Sequence, residues 1–222
     1  MLENLKKQVY EGNIALTREG LVVWTGGNLS AYDEEHDVIV IKPSGMLYDE
    51  MSPNDMVVVD MEGKIVEGEH GPSSDTLSHL GIYKNRPDVR SVVHTHSTYA
   101  TAFAAVGREI PCVLTALADE FGGPVPCGGY APIGGDAIGK EVVSKIGRSP
   151  AILMQQHGVF TIGSSIKDAV KAAVMVEDAA RTVAIAEQIG TVTPLSDEEI
   201  ESNYDRYHNR YGTSAASLGV SD

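Results

Sequence analysis

Cysteine is nearly missing from this chain: Cys112 and Cys127 are the only two among 222 residues. Two thiols cannot build a disulfide framework, so a reducing, cytoplasmic setting is expected. Long apolar runs are missing too, and nothing approaches the roughly 20 residues that cross a bilayer. Met1-Leu2-Glu3-Asn4 leads straight into a charged amphipathic stretch, unlike a secretory leader. Positive charge is scarce, with 17 Lys and Arg against 31 Asp and Glu, for a net −14. Such a field repels nucleic acid and anionic membrane, which excludes both as partners. It also repels a phosphorylated ligand, which would need a local cradle for anions. A Walker loop and a dinucleotide Gly-x-Gly-x-x-Gly after a strand are both absent, which disfavours nucleotides.

What remains is ordinary for a globular protein, with 42% apolar and 22% charged residues. A single core can serve up to roughly 250 residues, and neither a repeat nor a linker interrupts the chain. One domain over residues 1–212 is expected, with a small, polar tail over 213–222 that should fray.

Apolar spacing predicts a first helix through about Arg18 and a strand at Leu21–Trp24, followed by a glycine-rich turn through Ser30. Strands are expected at Val38–Ile41 and Met56–Asp60, the latter turning at Glu62-Gly63 into Lys64–Glu67. A helix should follow Asp75 to about Lys84, and Ser97 should cap another over Thr98–Val106. Cys112–Leu114 reads as a short strand, and Leu117–Gly123 as the segment leaving it. Asp136–Ile146 reads as a helix, and Ala151–Met154 and Val159–Ile162 as strands around Gln155–Gly158. An alanine-rich helix should span Ile166–Ile189, and Ser196–Glu199 carries a capping-box pattern. Several strands are joined by hairpins rather than helical crossovers. The expected fold is therefore α/β, with a mixed, largely antiparallel central sheet covered by helices.

The chemistry concentrates in a few short stretches. Ser91-Val92-Val93-His94-Thr95-His96 reads as a buried strand ending in two histidines. Positions i and i+2 of a strand share a face, so both rings can reach one point in space. That is the geometry of a metal chelate, and also of two ordinarily hydrogen-bonded strand histidines. His157, in a tight connection between strands, is a third candidate ligand, and Asp75 a fourth. Three imidazoles and a carboxylate suit zinc and other divalent first-row metals such as Mn2+ or Co2+. His36, His70, His79 and His208 lack chelate spacing and read as ordinary polar residues. Gly26-Gly27-Asn28, Ser44-Gly45 and Ser73-Ser74 are small-residue loops whose N–H groups and hydroxyls could cradle an anion, with Lys42 adding positive charge. Taken singly, each could be a plain turn.

In order and spacing, Gly27-Asn28, Lys42-Pro43-Ser44-Gly45, Pro72-Ser73-Ser74-Asp75, His94-Thr95-His96 and Gln156-His157-Gly158 resemble the class II sugar-phosphate aldolase and L-ribulose-5-phosphate 4-epimerase family. The resemblance runs from Leu2 to about Gly212. It implies a zinc-dependent enzyme acting on a phosphorylated sugar, commonly a homotetramer with active sites between subunits. Metal ligation would fall to His94, His96, His157 and Asp75. Substrate binding would fall to Gly27, Asn28, Lys42, Ser44, Gly45, Ser73 and Ser74.

Aspartate rather than glutamate at position 75 resembles the epimerase branch, which interconverts L-ribulose 5-phosphate and D-xylulose 5-phosphate through a metal-bound enediolate. Thr115-Ala116-Leu117-Ala118-Asp119 is similar to the stretch that carries an acid/base aspartate there, which implicates Asp119. Leu117 departs from the histidine common at its position. A C-terminal tyrosine completes the proton relay in that branch, matched by Tyr211, with Tyr207 next in line. The alternatives are an aldolase of the L-fuculose-1-phosphate type and a non-catalytic scaffold of the same fold.

Overall fold

A computed structural model describes residues 2–210 of the chain. Tyr211 and the tail over 213–222 lie outside the described residues.

Eight strands form one sheet: β1 (Asn28–Asp33), β2 (Val38–Ile41), β3 (Val57–Asp60), β4 (Ile65–Glu67), β5 (Ser91–Thr95), β6 (Cys127–Gly128), β7 (Ala151–Met154) and β8 (Gly158–Gly163). Their order is β4-β3-β2-β1-β5-β8-β7-β6, and every pairing is antiparallel except β6 with β7. The helices are α1 (Glu3–Arg18), α2 (Thr76–Asn85), α3 (Thr98–Ala105), α4 (Thr115–Phe121), α5 (Ala137–Lys145), α6 (Ile166–Ile189) and α7 (Asp197–Asn209). The mixed, largely antiparallel architecture is the expected one.

Strand alternation divides the core between the two faces of the sheet. Ile39, Ile41, Val57 and Val59 pack with Leu80 and Ile82 of α2 and Ile138 and Val142 of α5. Their neighbours Val40, Val58 and Val93 pack with Val9 and Leu16 of α1 and Ala169 and Ala173 of α6. Small side chains let α6, 24 residues long, lie close on the sheet, with Ala172, Ala173, Ala179 and Ala180 all buried. No described helix is long and apolar enough to cross a membrane.

The sequence reading fails at three places. Leu21–Trp24 is not a strand; it turns irregularly, with Trp24 at φ 60° and its side chain 76% exposed. Both edges of β1 are already taken by β2 and β5, so the segment cannot pair beside the strand it leads into. The first strand instead starts at Asn28, inside the expected turn, because its apolar Leu29 and Ala31 alternate with polar residues that bond to α2. Cys112–Leu114 is likewise no strand, and the segment after it is α4. Leu117, Ala118 and Phe121 of α4 are buried together with Ile200 of α7. Finally, the Ser97 side chain does not cap α3. The Glu177 carboxylate does, accepting from the N–H groups of Tyr99 (2.9 and 3.1 Å) and Ala100 (2.9 Å).

Candidate metal centre and anion cleft

The centre is built on β5, which lies between β1 and β8. His94 pairs across the ladder with Asn28 on one side and Phe160 on the other, and its ring stacks on Phe160 at 4.3 Å. Its Nδ1 lies 2.9 Å from the Val159 carbonyl oxygen. A carbonyl only accepts, so Nδ1 carries the proton and Nε2 presents its lone pair to the cleft. His96 sits just beyond the strand end, its Nε2 3.0 Å from that of His94. His157 arrives from the tight turn between β7 and β8, where Gln156 adopts φ 57°. One ligand nitrogen from each of the three rings lies within 4.8 Å of the others.

Gly158 makes that convergence possible. A Cβ there would stand 2.5 Å from the Thr95 carbonyl oxygen and 2.6 Å from Cδ2 of His96. Two features of the rings fit a divalent metal. Nδ1 of His157 is buried with no hydrogen-bond partner. Burial also drives the His94 pKa down to about 3 and lowers that of His157, so both rings stay neutral, as ligands must. The donor set therefore fits the cation.

Asp75 precedes α2 and lines the same cleft, outside the tight trio of histidine nitrogens. Its Oδ2 accepts from Asn28 Nδ2 at 2.8 Å. Burial acts to raise its pKa, but the positive charge that His94 and His79 take up at low pH, together with the Asn28 hydrogen bond, outweighs burial and holds it below the usual carboxylate range.

His79, read from the sequence as ordinary, belongs to this polar cluster. It is fully buried, held neutral by burial with a pKa of about 4, and its Nδ1 lies 2.7 Å from Ser30 Oγ. The signal was available: Asp75 and His79 stand four residues apart at the start of a helix, on one face.

The cleft has a volume of about 290 Å³, and every residue expected to bind substrate lines it: Gly27, Asn28, Lys42, Ser44, Gly45, Ser73 and Ser74. Backbone bonds from Ser44 N–H to the Gly71 oxygen and from Ser73 N–H to the Lys42 oxygen join two of the loops. Lys42 and Tyr48 tie in the third. The buried ammonium of Lys42 donates to the carbonyls of Thr25 (3.3 Å), Pro43 (3.3 Å) and Met46 (3.0 Å), and burial lowers its pKa to about 8. The Tyr48 hydroxyl contacts the carbonyl oxygens of Gly26 and Gly27 at 3.1 and 2.9 Å. Lys42 thus holds the loops from behind and lends them positive charge. Ile133, at the cleft mouth, was not anticipated. A larger groove of about 640 Å³ between α1 and α6 contains none of these chemical groups.

Asp119 does not join them. It sits on α4, and both its carboxylate oxygens accept from Arg206 Nη2 of α7, at 2.9 and 2.8 Å. Its carbonyl oxygen lies 3.0 Å from His208 Nε2. Tyr207 is also on α7, beneath the Lys171 ammonium at 5.5 Å. Neither Asp119 nor Tyr207 lines this chain's cleft.

Comparison with known proteins agrees with this geometry. Residues 7–184 match the family described as class II aldolase and adducin N-terminal domain. The chain is 42% identical over 219 residues to an L-ribulose-5-phosphate 4-epimerase UlaF of Salmonella paratyphi B, covering 93% of this chain and 96% of that one. The same identity and coverage hold for its namesake from Salmonella typhi. Among solved structures, an L-fuculose 1-phosphate aldolase superposes with a TM-score of 0.87 at 30% identity, over 92% of this chain and 96% of that one. The fold is shared as well by YgbL of Klebsiella pneumoniae, with a TM-score of 0.81 at 24% identity, over 91% of this chain and 99% of that one. The chain belongs to the class II aldolase family.

Proposed function

We propose that this member of the class II aldolase family is an L-ribulose-5-phosphate 4-epimerase that converts its substrate to D-xylulose 5-phosphate. One observation carries the reading: three histidine donors, an aspartate and three anion-ready loops converge on a single cleft. The identity to the UlaF epimerases supports the choice of reaction. Residues 1–212 act as one domain in a cytoplasmic setting.

His94, His96 and His157 would hold the metal, with Asp75 beside them, and zinc suits this nitrogen-rich set. The bound cation supplies Lewis-acid stabilisation of the negative charge that develops on ketose oxygens. Backbone N–H groups of Gly27, Gly45 and Ser74 and the hydroxyls of Ser44, Ser73 and Ser74 take the phosphate, and Asn28 both orients Asp75 and faces the sugar. The field of Lys42 offsets the net negative charge of the chain.

Epimerisation at C4 proceeds by breaking the C3–C4 bond, whose electron pair stays with the three-carbon fragment. The two-carbon aldehyde then rotates and the bond re-forms on its opposite face. The C4 oxygen faces a different side in each isomer, so two proton carriers are needed. Asp119 and Tyr211 are assigned these roles. Asp119 stands outside the cleft of its own chain, so it would serve the cleft of a neighbouring copy, in keeping with a homotetramer whose sites lie between subunits.

Incubating the zinc-loaded protein with L-ribulose 5-phosphate should yield D-xylulose 5-phosphate. Absence of that product, together with cleavage of L-fuculose 1-phosphate, would replace this reading with an aldolase. The structural likeness to an L-fuculose 1-phosphate aldolase favours that second reading.

A further inference from the structure

The three histidines are not held alike. His94 lies within β5, is paired on both sides and has its Nδ1 anchored on a carbonyl. His157 is fixed by the turn that joins two core strands, its N–H donating to the Met154 oxygen at 3.0 Å. His96 has neither support. It lies one residue past the end of β5 and two before the start of α3, and it is exposed. Its backbone is set by what fixes Thr95 on one side and Ser97 on the other. Thr95 is fixed by its pairing with Val159.

On the other side Glu177 ties the first turn of α3 to α6, while Gln156 N–H, donating to the Ala104 oxygen at 2.9 Å, holds the far end of the helix. The first N–H groups of a helix have no partner within it, and a carboxylate there satisfies them and favours the positive end of the helix. Glu177 does this from α6, 77 and 78 residues further along the chain, with three contacts of 2.9 to 3.1 Å. Around it, Ala173, Val176 and Ala180 are buried against the core, so the carboxylate stands on a rigid support.

We infer that Glu177 is a positioning residue for His96: it docks the first turn of α3 on α6 and so sets the third nitrogen of the metal centre. The inference rests on the reading of the three histidines as a metal centre. It assigns the carboxylate a role through its acceptor oxygens rather than its charge alone. Glu177 bonds the backbone beyond His96 and not the ring itself, so its loss should cost at most what losing an outer partner of a metal ligand costs, about 10- to 100-fold in metal binding.

The test compares wild type, Glu177→Met, which fills the same space without an acceptor, and Glu177→Gln, which keeps one. Zinc affinity is measured by chelator competition, the absorption bands of bound cobalt report ligand geometry, and ring resonances of His94 and His96 are followed in the metal-free chain. Glu177→Met should bind zinc more weakly, by at most about 10- to 100-fold, and shift both the cobalt bands and the His96 resonance. His94 should stay in place, and Glu177→Gln should recover to within about threefold of wild type. Wild-type affinity, bands and resonances in Glu177→Met would overturn the inference. So would unfolding of Glu177→Met and Glu177→Ala alike, which would make the residue purely a stability element. A wild-type chain that takes up neither zinc nor cobalt would instead remove the metal reading, and the His96 resonance would still decide the role of Glu177.

Discussion

The cleft and the corner between α4 and α7 both gather charged and polar side chains, yet they are built on different terms. In the cleft, Asn28, Asp75, His79 and His94 are each at most 8% exposed and are fixed by buried hydrogen bonds. At the corner, Asp119 meets Arg206 through side chains that are 17% and 45% exposed. Buried polar groups are expensive to leave unpaired, so the fold has to specify their places. A partly exposed ion pair contributes at most about 1 kcal/mol, so its partners can be exchanged at little cost. The three histidines, Asp75 and the small-residue loops of the cleft thus come from one chain, while the corner offers a carboxylate that a neighbouring copy could use.

Removing a ligand should break the cleft most severely. His96→Ala is expected to lose metal affinity by more than about 100-fold, beyond what an outer partner costs. Metal analysis after dialysis against a chelator checks this, and unchanged metal content would refute the chelate. At the corner, Asp119→Asn should lower epimerisation by on the order of 10²–10⁴ while metal content stays at the wild-type level. Unchanged turnover would remove Asp119 from the mechanism and leave the corner a plain helix contact.

The same contrast explains what could be read from the sequence. His94 and His96, two apart on a strand, and Ser73-Ser74-Asp75 before a helix are local patterns, and local spacing fixes geometry in regular elements. The three loops and the sheet around them were legible for that reason. The Asp119–Arg206 pair spans 87 residues, and Glu177 caps a helix 77 to 78 residues away. No spacing rule reaches across such distances. Ser97 was a sound local expectation for the cap, and a long-range contact displaced it. Trp24 was misread because strand propensity cannot know that both edges of β1 are already paired.

A smaller effect tests the packing of the histidines themselves. Gly158→Ala should cost about 1–3 kcal/mol in denaturant unfolding, since its Cβ would press on the Thr95 carbonyl and the His96 ring. It should also weaken metal binding. A variant as stable as wild type would show that the turn has more room than the geometry allows.

The smallest effect lies behind the loops, where burial lowers the Lys42 pKa from 10.5 to about 8. Below pH 8 the folded chain bears the cost of a buried ammonium. Between about pH 8 and 10.5 the unfolded chain holds more protons than the folded one at this group, so its contribution to stability improves as pH rises. Relative to Lys42→Met, wild type should therefore gain up to about 1 kcal/mol across that window, solvent screening discounting the full shift. Parallel stability curves for the two proteins would show that the ammonium is not desolvated.

The most direct test of the cleft as a metal centre for sugar-phosphate chemistry is a titration. Metal-free protein receives increasing zinc, and conversion of L-ribulose 5-phosphate to D-xylulose 5-phosphate is measured at each step. Turnover should rise linearly and stop at one zinc per chain, and His96→Ala should stay inactive at the same zinc levels. Full turnover in the metal-free protein, or stoichiometric zinc uptake without any conversion, would contradict the account.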